Sequence, residues 1–238
     1  MLLAQARHLL ATLTSADLDG AAFPYLGVRE IDVAGIPARA MRVGFVGELG
    51  YEVHVPAEHG AALWQALMQA GAGLGIRPFG VEAQRLLRLE KGHIIIGQDT
   101  DGLTVPREAA LGWAAKMDKA FFIGQRSLQA IAKRPQKQTL VGFALEIPGM
   151  DSSQDSHPDM PSESHLVIVD GEISGRITSV AFSPALGHVI GMAFVTPGLS
   201  AVGTRLPFRL TNGKMVHAQV VALPFYDATG ARQKEARA

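Results

Sequence analysis

The chain has 238 residues, 47% of them hydrophobic and 18% charged, with 22 Lys+Arg against 22 Asp+Glu and so no formal net charge. That length holds one large domain or two smaller ones around a sizeable core, and the lack of a basic stripe argues against nucleic acid as the main partner. With no cysteine there is neither a disulfide nor a thiolate metal site; no apolar run is long enough to span a bilayer, no secretory signal pattern is present, and the expected location is cytoplasmic.

Residues 1–13 place Leu2, Leu3, Ala6, Leu9, Leu10 and Leu13 at helical spacing. The chain thus starts inside an amphipathic helix with no cap in front of it. Residues 28–33 alternate, Ala34-Gly35 breaks the alternation and residues 37–46 resume it, which predicts a β-hairpin turning at Gly35. After a second turn at 47–50, residues 51–55 read as a short strand. It sets Glu52 and His54 on one face and Tyr51, Val53 and Val55 on the other. A helix is expected over 58–70, with Ala62, Leu63, Ala66, Leu67 and Ala70 as its apolar face, ended by Gly71, Gly73 and Gly75. Another is expected over 81–91. The dense turn 98–102 follows, then a helix opening at Pro106 and running toward Met117, with Glu108 in its first turn. A further short helix over 123–134 precedes a linker at Pro135.

From Thr139 the character changes to alternating strands, at 140–147, 165–169, 173–182, 189–195, 205–210 and 215–223. Asp170-Gly171 and Asn212-Gly213 are hairpin signals, and strands at this spacing predict a small antiparallel β barrel or sandwich. Residues 150–163, rich in Ser, Asp and Pro, read as a mobile surface loop. The fold class is α+β, divided into residues 1–136 and a β-rich domain at 137–238.

Glu52 follows Gly50-Tyr51 on its strand. Its two acceptor oxygens suit a planar N–H/NH₂ edge such as guanidinium or an aminopyrimidine; the alternative is an edge-strand glutamate in water. His54 shares its face, but an i, i+2 pair alone does not separate acid–base work from a surface histidine. Asp99 and Asp101 lack a twelve-residue calcium-loop pattern and read as turn-formers and caps, so no metal is expected. Arg85, Arg88, Glu90 and Lys91 crowd one helix. Either one of these cations holds a ligand's carboxylate, or the helix shows a solvated face of weak ion pairs. No serine nucleophile elbow and no phosphate loop is found.

Three ordered motifs, Gly-Glu-Leu-Gly-Tyr-Glu (47–52), Leu-Arg-Leu-Glu-Lys-Gly (87–92) and Gly-Gln-Asp-Thr-Asp-Gly (97–102), resemble the tetrahydrofolate-binding aminomethyltransferase family, which includes the glycine-cleavage T-protein. Phe-Ile-Gly-Gln-Arg-Ser-Leu (122–128), Gly-Arg-Ile-Thr-Ser (175–179) and Pro-Phe-Tyr-Asp (224–227) make the C-terminal half of the heterotetrameric sarcosine oxidase α subunit the branch that looks nearest. The resemblance implies a folate-binding aminomethyltransferase-like fold, N-terminally incomplete here, followed by the small β barrel. It implies folate contacts from Glu52, which would pair with the pterin ring, and from Phe45, Tyr51, Gln84, Arg85 and Tyr226. Phe45 stands where relatives often carry Tyr, which keeps an aromatic wall without the hydroxyl. Gln84 stands where T-protein relatives carry an arginine, with Arg85 beside it.

The family's N-terminal segment, with the aspartate that positions the reacting amine, would precede Met1, so no catalytic residue is assigned. The implied function is tetrahydrofolate-dependent one-carbon transfer, as part of a sarcosine oxidase-like amine-oxidising system with a flavin-containing subunit as partner. The alternative is a non-catalytic folate-binding or subunit-docking module. The helix at 1–13 is expected to leave part of its apolar face open or covered by a second chain.

Overall fold

The structure, a computed structural model, describes residues 5–151 and 157–234. The chain forms two compact units. The first runs up to Lys91 and takes in the segment from Asp227 onward; the second runs from Gly92 to Tyr226.

In the first unit, helix α1 (Ala6–Ala11) buries Ala6, Leu9 and Leu10. Thr12 ends it by donating its hydroxyl to the Leu9 carbonyl at 2.7 Å. A three-stranded antiparallel sheet follows, in the order β1 (Val28–Val33), β2 (Ile36–Met41), β3 (Glu52–His54). The β1–β2 turn falls at Ala34-Gly35 as expected, with both residues at positive φ (53° and 76°) and Val33 paired to Ile36. This left-handed pair matches the right-handed strand twist. Strand β2 alternates cleanly, with Ile36, Ala38 and Ala40 buried. They meet Leu10, Phe23, Leu49, Tyr51 and Leu63 in one cluster.

That cluster also covers the middle of the first helix's apolar face, with Leu13 half-buried at its end. Ala6 and Leu10 pack into the unit's own core, and Leu9 is also buried. Leu2 and Leu3 lie outside the described residues. Helix α2 (Gly60–Gly71) starts two residues later than expected, after a 3₁₀ turn at Ala57–His59. Leu63 is buried and Leu67 packs against the cluster, whereas Ala62 is exposed. Helix α3 (Val81–Glu90) lies where the spacing placed it.

In the second unit the expected helix from Pro106 does not form; there are turns and a 3₁₀ turn at Gly112–Ala114. Ala110 at φ 58° is incompatible with helix propagation. Arg107 and Glu108 are instead committed to contacts distant in the chain. Arg107 donates to the carbonyls of Ile131, Ala132 and Arg134, which terminate helix α4 (Gln125–Ala132). The Glu108 carbonyl accepts from Leu140 N at 2.7 Å.

Six antiparallel strands close into a barrel in the order β4 (Thr139–Leu145), β7 (His188–Val195), β6 (Glu172–Ser183), β5 (Leu166–Val169), β8 (Arg205–Arg209), β9 (Met215–Val221), with β9 returning to β4. Every expected strand is present within a few residues, and the barrel alternative of the two is the one formed. Asp170 and Gly171 both have positive φ in the β5–β6 turn. At the β8–β9 turn Gly213 is left-handed and Leu210 N bonds Lys214 O. The interior is filled by alternate residues, among them Val216, Ala218 and Val220 of β9 and Phe143 of β4 against Phe208 of β8, ring centroids 4.7 Å apart. Residues 152–156 of the expected mobile loop lie outside the described residues. Its described flanks are held down, since Met150 and Met160 pack against the barrel core.

Strand β6 carries a bulge that spacing alone does not reveal. Ile177 pairs with Ala193 and Ser179 with Met192, leaving Thr178 extra. The extra residue shifts the inside–outside phase. Ile177 faces the core before it, and Val180 and Phe182 face the core after it. Ser179 is thereby turned to the outer side, where its hydroxyl donates to the fully buried Asp99. Gln98 also reaches Ser179, at 3.2 Å, and Glu163, at 2.7 Å. Ser179→Ala is expected to cost about 1.5–3 kcal/mol, the range for a hydrogen bond to a buried charged group; urea unfolding against wild type measures it.

Candidate functional site

The first motif forms a loop that leads into strand β3. Gly47 sits at φ 85°, and a Cβ there would come within 3.0 Å of the Lys91 side chain. The loop is therefore laid directly on the lysine that closes the second motif. Lys91 in turn donates to the Asp227 carbonyl at 2.7 Å and to its carboxylate at 3.1 Å. Both side chains are largely buried, 8% and 10% exposed. Burial pushes the Asp227 carboxyl up, but the Lys91 ammonium and the backbone N–H groups of Arg232 and Ala231 more than offset this and hold it below the ordinary aspartate value. Three motifs far apart in sequence thus meet at one buried cation within the first unit.

Glu52 opens β3 and pairs with the end of β2, opposite Met41. Its carboxylate is 57% exposed, and its Oε2 lies 3.2 Å from His54 Nε2. The expected shared face therefore brings these two side chains into contact. On the opposite face Tyr51 is buried, its ring 5.7 Å from that of Phe23, centroid to centroid. Tyr51 thus serves the core with its ring, and Glu52 next to it is presented outward. Phe45, in the same loop, is partly exposed. Gln84 and Arg85 are neighbours on α3. Gln84 is exposed, and Arg85 lies 3.4 Å from Glu82 one turn back on the helix. Tyr226 belongs to the second unit, where it is half-buried.

The solvated-face reading of the α3 cluster is corrected: Arg88 and Glu90 are buried, and so is the Lys91 side chain. Charged residues at the end of this helix turn inward rather than toward water, and Lys91 there ties this segment to Asp227. Asp101, in the third motif, is a turn-former as expected. The Thr104 hydroxyl and the N–H of Leu103 hold its carboxyl below the ordinary value. Asp99 does more than form a turn; besides accepting from Ile95 N at 2.8 Å it receives the Ser179 hydroxyl. Sequence spacing missed the Lys91–Asp227 pair, 136 residues apart, together with Arg232 and Gln233. The single available signal was the pairing of a lysine ending one motif with an aspartate ending another.

A loop rich in glycine, a carboxylate offered at the start of a short strand and a separate closed barrel define a two-part family, and comparison with known proteins identifies it. Residues 4–119 match the GCVT N-terminal domain, and residues 139–227 match the glycine cleavage T-protein C-terminal barrel domain. The chain belongs to the glycine-cleavage T-protein, or aminomethyltransferase, family. It is 38% identical over 222 residues to an aminomethyltransferase of Streptomyces coelicolor, an alignment covering 92% of this chain and 56% of that protein. It is 33% identical over 238 residues to the sarcosine oxidase subunit alpha of Corynebacterium sp. strain U-96, covering 96% of this chain and 24% of that one. The crystal structure of the glycine cleavage system aminomethyltransferase T from Bartonella henselae superposes with a TM-score of 0.75 at 26% identity, over 93% of this chain and 57% of that one. The chain therefore spans a little over half the length of these aminomethyltransferases.

Proposed function

We propose that this chain binds tetrahydrofolate and takes part in folate-dependent one-carbon transfer. The observation that carries the reading is the convergence of the family's motifs on Lys91, which lies against Gly47 in the loop that leads into β3, where the Glu52 carboxylate is offered outward. Glu52 fits the flat donor edge of a reduced pterin: it is an accessible planar acceptor, and the half-open aromatic side of Phe45 lies in the same loop. Bound tetrahydrofolate would supply the nitrogens that take up the one-carbon unit. This chain's residues bind and orient it, with Glu52 on the pterin edge, Phe45 along the ring, and Gln84 and Arg85 as further contacts, while Tyr51 backs the strand from the core side. Holding reactants close and excluding water is the contribution such a site makes.

In this proposal residues 1–136 form the folate-binding region and 137–238 the barrel domain. A cytoplasmic location is part of this reading; no described helix is long and apolar enough to cross a membrane. The likeness to a sarcosine oxidase subunit favours membership of a multi-subunit amine-oxidising system with a flavin-containing partner. Calorimetric titration with 5-formyltetrahydrofolate tests the reading. Wild type is expected to bind, and Glu52→Ala to bind about ten- to a hundredfold more weakly, as befits loss of a charge-assisted hydrogen-bond pair. Equal affinity in the two proteins would remove Glu52 from the site.

A further inference from the structure

We propose that the segment 227–233 is a strap that positions the loop between β2 and β3, with Arg232 and Gln233 as positioning residues for the ligand that Phe45 and Glu52 contact; this rests on the folate reading above. Asp227 accepts from the backbone N–H groups of Ala231 and Arg232, at 3.1 and 3.2 Å. It thereby turns the chain into the short helix α5 (Ala231–Lys234) and aims the next two side chains at the loop. Arg232 Nη1 lies 2.6 Å from Glu48 Oε1. The Gln233 side-chain amide, buried, donates to the Gly44 carbonyl. Its packing is close enough that a Cβ on Gly44 would come within 2.9 Å of Gln233 Nε2. Lys91, bonded to Asp227, lies against Gly47.

The loop is therefore gripped at Gly44, Gly47 and Glu48, and Phe45 stands between the first two of these points. Four residues past Glu48, the chain presents Glu52. A loop with this many glycines has wide backbone freedom of its own, so its ligand-competent shape must come from what grips it. Contacts that orient a ligand-binding side chain act on affinity although they never touch the ligand.

The test uses the full chain. Hydrogen–deuterium exchange of peptides covering 44–51 and titration with 5-formyltetrahydrofolate are run on wild type, Arg232→Ala, Gln233→Ala and Arg232→Lys. Exchange in the barrel peptides serves as the control for overall folding. The strap predicts faster exchange at 44–51 in both alanine variants, with unchanged barrel exchange. It also predicts about tenfold weaker folate binding, the lower end of what removing an orienting partner costs, and recovery of most of that loss in Arg232→Lys, which keeps the charge opposite Glu48. Unchanged exchange at 44–51 overturns the strap. Faster exchange with unchanged affinity overturns its role in positioning. If wild type itself binds no reduced folate, the positioning role falls together with the folate reading, while the exchange data still report separately whether the strap holds the loop.

Discussion

Lys91→Met is expected to destabilise the first unit by about 3–5 kcal/mol, the cost of stranding one member of a buried ion pair. The loss arises at Asp227 as much as at position 91. With the ammonium gone, burial of the carboxylate is left without its main counterweight, and the Asp227 carboxyl rises. Guanidinium unfolding gives the stability change, and carboxyl chemical shifts followed through pH give the titration. Lys91→Met with Asp227→Asn is expected to recover much of the loss, because two neutral groups replace one unpaired charge. In wild type the sign follows from the depressed carboxyl. The unfolded chain holds the Asp227 proton more tightly than the folded one. The stabilisation is thus complete above the ordinary aspartate value of 3.8 and is lost as pH falls through it toward the lower folded value. Lys91→Met should lack that acid-labile component.

Phe143→Ala is expected to cost about 3–5 kcal/mol, through lost transfer energy and the cavity left behind. Phe143 is fully buried in the barrel and tilts against Phe208. Across from it Gly191 leaves the room that the ring occupies: a Cβ at Gly191 would run into the ring's Cζ and lie 2.6 Å from the Ser179 carbonyl oxygen. Gly191→Ala should therefore destabilise on its own, by about 1–3 kcal/mol. Introduced together, the two changes should cost less than their sum, since the smaller side chain at 143 removes the clash with the ring and leaves only the Ser179 carbonyl crowding the methyl. Urea denaturation of the four proteins closes the cycle.

The barrel was legible in the sequence because its strands alternate and its turns carry Asp-Gly and Asn-Gly; hydrophobic period and turn chemistry agree there. The expected helix from Pro106 failed where long-range contacts of the Arg107 side chain and the Glu108 backbone carbonyl overrode local preference. Arg107 is drawn to the end of α4 and Glu108 to Leu140, and Ala110 takes a left-handed conformation. The bulge at Thr178 was hidden because its trace in the sequence is only two polar residues in a row, Thr178 and Ser179, which a strand with one face in solvent also tolerates. At the candidate site, the shared face of Glu52 and His54 could be read directly, since two-residue periodicity is a property of any strand. The inward turn of Arg88, Glu90 and Lys91 could not. Charge on a helix signals water unless a partner is known, and the partner of Lys91 is 136 residues away.

Closure of the barrel decides how this protein can join other chains. A sheet whose last strand pairs with its first offers no bare backbone for another polypeptide to add to. The three-stranded sheet has two outer strands, and both carry charge: Arg29, Glu30 and Asp32 along β1, Glu52 at the start of β3. Such charges guard against unplanned β-sheet extension and fibril growth. Among the described residues, the barrel therefore offers another chain side chains and loops rather than a free strand edge.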